Sequence, residues 1–591
     1  MCGIFAVVND EKAVAARTTL EGLKKLEYRG YDSWGIAIKP TEGNRLMVEK
    51  HTGKIGDAVT SLPPSSIAIG HTRWATHGGV TDANAHPHLD CEGKIAVIHN
   101  GIVENYQEIK ENLVGLGHKF ISETDTEVIA HLIEENKKEG SFADAVMKTF
   151  DAIVGSNAIV VLDVETETIV SCRNGSPLVV GIDEENRRYY LGSDVPAFLR
   201  YTNKVYFLED MEGVLISKNK IGIYDLKTKS EKKFSPQVLD WKLEDAEKEG
   251  FPHFLLKEIH EQTKIIPKTA SVNKTEIETV SKLINEGRKV VFMGCGTASY
   301  CAMLGKYFLS STGIESQAYG AYEFMPFSRF IDKKTVVIAI SQSGETADTL
   351  LAVKEAKKNN AYIVSVVNAR GSTMERLSDI VIPVGAGPEI AVVSTKAFTA
   401  QAATLYLLSK AVAGEYETAC KNVKKLGREL ESFINGESNS RIVSTAKGLM
   451  TAEHAYVIGK HLNFPGALEF ALKLKESSYL HSEAFTAGEL KHGVITLIQR
   501  GTPCFVLSSN DQVRQEVLSS AAELKARGGY IIGIAPHQAK EFDEIIATPD
   551  LGELTVFVNI VAGQLLGYYL GIGRGADPDK PRNLAKSVTV K

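Results

Sequence analysis

Val290-Val291-Phe292-Met293-Gly294 is a short apolar run closed by glycine, and Ala455-Tyr456-Val457-Ile458-Gly459 repeats it 165 positions later (458 − 293). The neighbours repeat as well. Val336 to Ile340 returns as Cys504 to Leu507, 167 positions on (507 − 340), and Tyr362-Ile363-Val364 returns as Tyr530-Ile531-Ile532, 168 positions on (531 − 363). Helix-like segments lie between the runs, so each copy reads strand, helix, strand, helix, strand. Parallel strands joined by helical crossovers make right-handed βαβ units. The repeat therefore predicts two doubly wound α/β domains.

The first copy carries Ser341-Gln342-Ser343-Gly344-Glu345-Thr346 between a strand and a helix that starts near Thr346. Hydroxyls and free backbone N–H groups at a helix N-terminus suit a phosphate. The loop has no lysine, which favours a monoester over a magnesium-bound triphosphate. An ordinary capped helix is the competing reading. The second copy has Ser508-Ser509-Asn510-Asp511 at this place, where Asp511 would repel phosphate. Nucleotide signatures fail: Gly294-Cys295-Gly296 meets Ser299 where a third glycine is wanted, and no Gly-Lys-Ser/Thr loop occurs.

Moving outward, residues 225–250 are rich in Lys and Glu, include Pro236, and read as a domain junction. Upstream, Ile4 to Val8 suits a buried strand and Ala13 to Leu26 an amphipathic helix. Ser66 to Gly70 and Ile95 to Ile98 are strands that empty into His71-Thr72-Arg73-Trp74-Ala75-Thr76-His77-Gly78 and His99-Asn100-Gly101. Ser122 to Glu127 opens a helix through Glu135, and strands follow near 158–163, 178–182 and 188–191. The expected division is 1–240, 241–430 and 431–591. With 591 residues, 43% hydrophobic, and a formal charge of −6, the chain offers no footprint for nucleic acid. No apolar run reads as long enough to span a bilayer. Seven scattered cysteines without C-x-x-C spacing predict neither a disulfide framework nor a metal site, and a reduced, cytoplasmic protein.

Cys2 is the candidate nucleophile. Removal of Met1 would leave a thiol and an α-amine on one residue, and such an amine can act as base. Its pKa of about 7.7–8.0 leaves roughly a tenth as free base at neutral pH. A thiolate attacking an amide forms an oxyanion, for which the Asn100 side chain and the Gly101 N–H are candidate donors. Arg73 can grip a carboxylate and Asp125 an ammonium, the two charges of an amino acid. Singly, Asn-Gly could be a hairpin turn and Asp125 a helix cap.

These stretches, with Cys2-Gly3-Ile4, Tyr28-Arg29-Gly30-Tyr31-Asp32-Ser33, Asn84-Ala85-His86-Pro87-His88 and Ser122-Glu123-Thr124-Asp125, resemble the glutaminase domain of N-terminal-nucleophile amidotransferases. The resemblance implies a four-layer αββα sandwich, Cys2 as nucleophile, Asn100 and Gly101 as oxyanion hole, and glutamine held by Arg73, Trp74, Thr76, His77, His86, Asp125 and Arg29. Trp34 departs from the small residue expected after Tyr-Asp-Ser. The later half resembles a sugar isomerase (SIS) domain pair, on Gly294 to Thr297, Ser341 to Thr346, Val393 to Lys396, Ala467 to Glu469, Lys473 to Glu476, Gly488 to Gly493 and Pro581 to Ser587. Together the halves are similar to the isomerising glutamine–fructose-6-phosphate aminotransferases.

That family implies transfer of the glutamine amide nitrogen to fructose 6-phosphate, giving glucosamine 6-phosphate and glutamate. Ammonia would pass through a shielded channel gated by Trp74, and no cofactor or metal is implied. The sugar phosphate would meet Thr297, Ser341, Gln342, Ser343, Thr346, Val392, Ser394 and Ala585. Lys586 near the tail would form an imine with the ketose, Glu476 would move the proton between C1 and C2, and Lys473 lies one turn before it. His492 would open the sugar ring from the neighbouring subunit of a homodimer. Ala298, Ala391 and Phe470 depart from the pattern. A phosphosugar deaminase or deglycase is the nearest alternative, but it has no use for the Cys2 half. A non-catalytic phosphosugar sensor is the other, and it could dispense with Lys586 and Glu476.

Overall fold

The computed structural model describes residues 2–8, 13–218, 220–239 and 247–588. The chain divides into two compact units, one of residues 1–246 with 585–591 and one of residues 247–584.

The first unit is built on two antiparallel sheets, of eight and seven strands. Strand Gly3–Val8 lies inside the larger sheet, between Ile67–Arg73 and Arg188–Gly192. Ile4, Ala6 and Val8 point into the core between the sheets, where they meet Ala96 and Ile98 of strand Ile95–Gly101. Phe5 faces the other way, onto Gly22 of helix Ala15–Leu26. On the smaller sheet Ile95 and Val97 face helices Glu127–Lys137 and Phe142–Ala152. Strands covered on both faces read as continuous apolar runs, which is why these were visible in the sequence. The layers are helix, sheet, sheet, helix, the expected αββα sandwich.

The stretch 225–250 read as a junction is partly built into the sheets. Ser230–Lys232 and Gln237–Val238 are short, exposed edge strands, one on each sheet. Charged, short edges resist unwanted pairing, and their composition resembles a linker. Residues 240–246 lie outside the described residues. Trp34 is buried on strand Ser33–Ile38, its ring 4.6 Å from that of His51.

The second unit has two five-stranded parallel sheets. One runs Ser316–Gly320, Lys289–Gly294, Thr335–Ser341, Tyr362–Val367, Ile380–Pro383. The other runs His481–Thr486, His454–Gly459, Pro503–Leu507, Tyr530–Ala535, Glu544–Ala547. Both follow the order 2-1-3-4-5, so each has a topological switch point between its first and third strands. The loops after those strands are the repeated motifs.

Gly552–Gly573 corrects the reading that no apolar run could span a bilayer: it is long and apolar enough, and 83% of its apolar window is buried inside the protein. Glycines and the amides of Asn559 and Gln564 interrupt the run in the sequence. Within the core each of those amides is paired through one atom, Asn559 Nδ2 donating to Asn463 Oδ1 at 2.8 Å and Gln262 Nε2 to Gln564 Oε1 at 2.7 Å. This helix packs against Asn463–Ser478, where Phe470 lies across Gly563. A Cβ on Gly563 would fall 2.5 Å from the Phe470 ring, so the bulk of Phe470 is matched by the missing side chain opposite.

Gly563→Ala should therefore lower stability by about 1–3 kcal/mol through overpacking. The loss should shrink when Phe470→Leu is added, because the two positions share one space. Thermal melting of the four proteins checks this; additive losses would contradict it.

Candidate functional site

Cys2 precedes strand Gly3–Val8 on the parity of Ile4 and Ala6, so its side chain belongs to the face between the sheets. The Trp74 N–H donates to Cys2 Sγ at 3.2 Å. The loop that offers it is held by Asp32, whose carboxylate takes the Ala75 N–H at 2.8 Å while its own N–H donates to the Arg73 carbonyl at 3.0 Å. Burial pushes the Cys2 thiol up.

Asn100 closes strand Ile95–Gly101 from the facing sheet. Its Nδ2 donates to the Cys2 carbonyl at 2.9 Å, and its Oδ1 lies 3.1 Å from His71 Nε2. His71 Nε2 is also 3.0 Å from the His99 carbonyl. Two acceptors on one nitrogen place the imidazole proton there, and that proton fixes which way the Asn100 amide points. Burial pushes His71 down to about 3, and it drives His86 and His99 down too. The cluster is thus neutral: His86 stacks on His71 at 4.1 Å and its Nδ1 accepts the His99 N–H at 3.3 Å. Gly101 has φ +142°, and a Cβ there would fall 2.3 Å from the Ser156 carbonyl.

Arg73 donates to the carbonyls of Gly79 (3.0 Å), Gly78 (3.3 Å) and His77, folding the 77–79 loop around its guanidinium. Its charge couples to Cys2, Asp32 and Asp125, so these groups share one region. Asp125 is buried and accepts the Val103 N–H at 2.7 Å. Trp74 meets Tyr31 edge-on at 5.4 Å, His77 meets Tyr106 at 5.7 Å, and Thr76 is exposed. Arg29 is engaged elsewhere, in an ion pair with Asp194 that Tyr28 also joins. His71 and Asp32 stand in the quoted motifs without a role of their own. His71 was findable: it continues the Ile67, Ile69 alternation with a polar residue.

In the second unit, the Ser341–Thr346 loop sits at the first sheet's switch point. Ser341 Oγ accepts the Gly344 N–H at 2.9 Å and lies 3.4 Å from Thr346 Oγ1. Gly344 has φ +64°, and a Cβ would fall 2.2 Å from Ser372 Oγ. Thr346 precedes helix Ala347–Lys358, yet among the described residues its hydroxyl makes no capping bond to it. Gln342 holds the loop from its carbonyl, which takes the Ala369 N–H at 3.0 Å, and the Ser343 hydroxyl accepts from Glu345 N at 3.2 Å.

Across the switch point Thr297 opens helix Thr297–Ser310. Lys473 Nζ lies 3.1 Å from Thr297 Oγ1, 2.6 Å from Glu476 and 3.2 Å from Glu469. Glu469 was quoted in the sequence without a role; its i, i+4 spacing to Lys473 was the available signal. Ser394 donates to Glu389 at 3.0 Å, and the Val392 N–H donates to the Asp579 carbonyl at 3.0 Å. Asp579 also takes the N–H groups of Phe254 and Leu255, and Arg582 lies over the Tyr479 ring at 4.3 Å, so the chain is anchored up to the tail. Ala585 and Lys586 group with the first unit. His492 is exposed after strand His481–Thr486. In the second copy Asp511 accepts the Val513 N–H at 3.1 Å. Its carboxylate lies just ahead of helix Arg514–Ala526.

Burial pushes Glu469 up to about 7, with Glu476 adding to the rise and Lys473 opposing it. Between its unfolded value and that one, the folded state holds a proton the unfolded state has lost. Stability from this group is therefore full at low pH and lost as pH rises through about 7. Glu469→Gln should flatten the fall in melting temperature between about pH 5 and pH 8; an unchanged slope would show that Glu469 is not the titrating group.

The first unit overlaps a family model described as a glutamine amidotransferase domain, matched over residues 41–215, and the second unit one described as a SIS domain, matched over 282–411 and 448–545. The glutamine–fructose-6-phosphate aminotransferase [isomerizing] of Thermococcus kodakarensis is 41% identical over 611 positions, covering all of both chains. That of Thermus thermophilus is 42% identical over 614, again covering all of both. A solved C-terminal domain of glucosamine-fructose-6-phosphate aminotransferase from Francisella tularensis matches 57% of this chain and 100% of its own, at 29% identity and a TM-score of 0.52. Full-length identity at this level joins both halves to one lineage, and the chain belongs to the glutamine–fructose-6-phosphate aminotransferase (isomerising) family.

Proposed function

We propose that this chain transfers the amide nitrogen of glutamine to fructose 6-phosphate with isomerisation, yielding glucosamine 6-phosphate and glutamate. One observation carries the reading: an amide N–H₂ aimed at Cys2 by a neutral histidine lies in the same chain as a hydroxyl loop at a parallel-sheet switch point.

In the first reaction the Cys2 α-amine, exposed once Met1 is removed, takes the thiol proton. The thiolate adds to the glutamine amide carbon, ammonia leaves, and water hydrolyses the thioester to glutamate. Asn100 and the Gly101 N–H stabilise the oxyanion. Arg73 and Asp125 bind the substrate's carboxylate and ammonium, and Trp74, Thr76, His77 and His86 shape the pocket. Arg29, paired with Asp194, acts at one remove by fixing the 28–33 turn. Ammonia is consumed at the sugar without release.

In the second, Ser341, Gln342, Ser343 and Thr346 hold the phosphate, and Thr297, Val392, Ser394 and Ala585 border the sugar. Lys586 forms an imine with C2 with loss of water, ammonia displaces the lysine amine from C2, Glu476 carries the proton from C1 to C2 to leave the C1 aldehyde and the C2 amine, and Lys473 holds Glu476 as its ion partner. His492 comes from the neighbouring subunit of a cytoplasmic homodimer, a reading its exposure supports. Residues 1–240, 241–430 and 431–591 are the working division.

Glutamine labelled with ¹⁵N at the amide, given with fructose 6-phosphate, should yield labelled glucosamine 6-phosphate by mass spectrometry. Cys2→Ala should abolish glutamate release and leave sugar isomerisation. Full-rate hydrolysis by protein retaining Met1 would exclude the α-amine as base.

Borohydride reduction with fructose 6-phosphate should attach the sugar to the tail peptide at Lys586. Labelling at another lysine, with Lys586→Arg still making product, would overturn that assignment.

A further inference from the structure

Four side chains from three separate segments of the first unit converge outside the sites above. Cys91 lies in the turn between strands His88–Leu89 and Ile95–Gly101. His118 follows helix Tyr106–Gly115, and His131 and Glu134 stand one turn apart on helix Glu127–Lys137. Cys91 Sγ is 3.5 Å from His118 Nδ1 and 3.5 Å from His131 Nδ1. Glu134 Oε2 is 3.2 Å from His118 Nδ1 and 3.4 Å from His131 Nδ1. All four donor atoms lie within 4.8 Å of one another.

These edges have a geometric meaning. A tetrahedral zinc ion binds sulfur at about 2.3 Å and nitrogen or oxygen at about 2.0–2.1 Å, which separates sulfur from nitrogen by about 3.5 Å and nitrogen from oxygen by about 3.4 Å. The observed edges fit that figure. Proton counting leads to the same place. Each imidazole turns its other nitrogen toward a carboxylate: His118 Nε2 is 2.6 Å from Glu135, and His131 Nε2 is 3.7 Å from Glu127. A carboxylate there favours the proton on Nε2, as it does for metal-bound histidines. Both Nδ1 lone pairs then face a sulfur and a carboxylate that carry lone pairs of their own. With neutral imidazoles one S–H proton cannot satisfy that set, and satisfying it with protons alone would require charging a buried imidazole, whereas a dication accepts all four. His131 and His118 are buried, at 1% and 8% exposure, so water is a poor substitute.

We propose that Cys91, His118, His131 and Glu134 hold one structural zinc ion per chain. A complete set of four protein ligands is the mark of a structural site, and one thiolate, two imidazoles and a carboxylate suit a borderline-soft ion. The ion would staple the 90–94 turn and the His118 segment to helix Glu127–Lys137. Glu127, facing His131, also accepts the N–H groups of Ile121 and Ser122 at 2.8 and 2.7 Å. The staple thus extends to the segment that carries Asp125. The sequence predicted no metal because the ligands share no short motif; the fold assembles them.

The test is metal analysis of the full-length protein, purified without chelator from zinc-supplemented medium and desalted. About one equivalent of zinc per chain is expected, falling below about a tenth in Cys91→Ser and in His131→Ala. Cobalt exchanged into the wild type should give a thiolate charge-transfer band that EDTA abolishes, a readout that does not depend on the variants folding. Wild-type protein with less than about a tenth of an equivalent of any transition metal and no cobalt band would overturn the site. So would a cobalt band that persists in folded Cys91→Ser.

Discussion

A lysine ammonium buried in protein is stable only if carboxylates meet it, and Lys473 is fully buried in the middle of its helix. Glu476 one turn after supplies the charge, Glu469 one turn before adds to it once its burial-raised carboxyl ionises near pH 7, and Thr297 supplies a hydroxyl from the other sheet's first helix. Removing one member of such a set leaves an unpaired buried charge, which costs about 3–5 kcal/mol. The helix that carries Lys473 also packs against the long apolar helix at 555–573. The polar cluster therefore ties together the two parallel sheets across the core they share.

The glutaminase half meets the same constraint in the opposite way. Its buried titratable groups around Asn100 are discharged rather than paired. His71, His86 and His99 are held neutral by burial, so they act as hydrogen-bond donors and acceptors of fixed direction. A neutral histidine can orient an amide without adding a charge that would compete with the substrate's own. The charged groups of the region, Arg73 and Asp125, are held instead by backbone partners, Arg73 by carbonyls of the 77–79 loop and Asp125 by the Val103 N–H.

Much of this was legible in the sequence. Runs such as Ile4 to Val8 and Val336 to Ile340 are covered on both faces, so composition alone marks them as strands. Cys2, Asn100, Arg73 and Asp125 are noticed because their chemistry is complementary to one substrate. What escaped was whatever depends on partners remote in the chain. Asp32 matters because it caps Ala75, Arg29 is engaged because Asp194 lies beside it, and Cys91 becomes a ligand only when His118 and His131 are brought to it. The 555–573 helix was misread for a related reason: its amides look like solvent-facing residues until Asn463 and Gln262 are found opposite them.

The two parallel sheets also show how differently two copies of one loop can be filled. Both copies place a serine at the close of their third strand, Ser341 within it and Ser508 just after it, and both follow it with a helix after the same switch point. In the first, Gly344 takes a left-handed turn that brings its N–H onto Ser341 and leaves the Thr346 hydroxyl out of helix capping. In the second, Asp511 brings a carboxylate of its own to the helix start, and burial raises its pKa. An anion supplied by the chain and an anion supplied by a substrate are alternatives at one helix N-terminus. The fold duplicates the loop position, and the side chains that fill it differ between the copies.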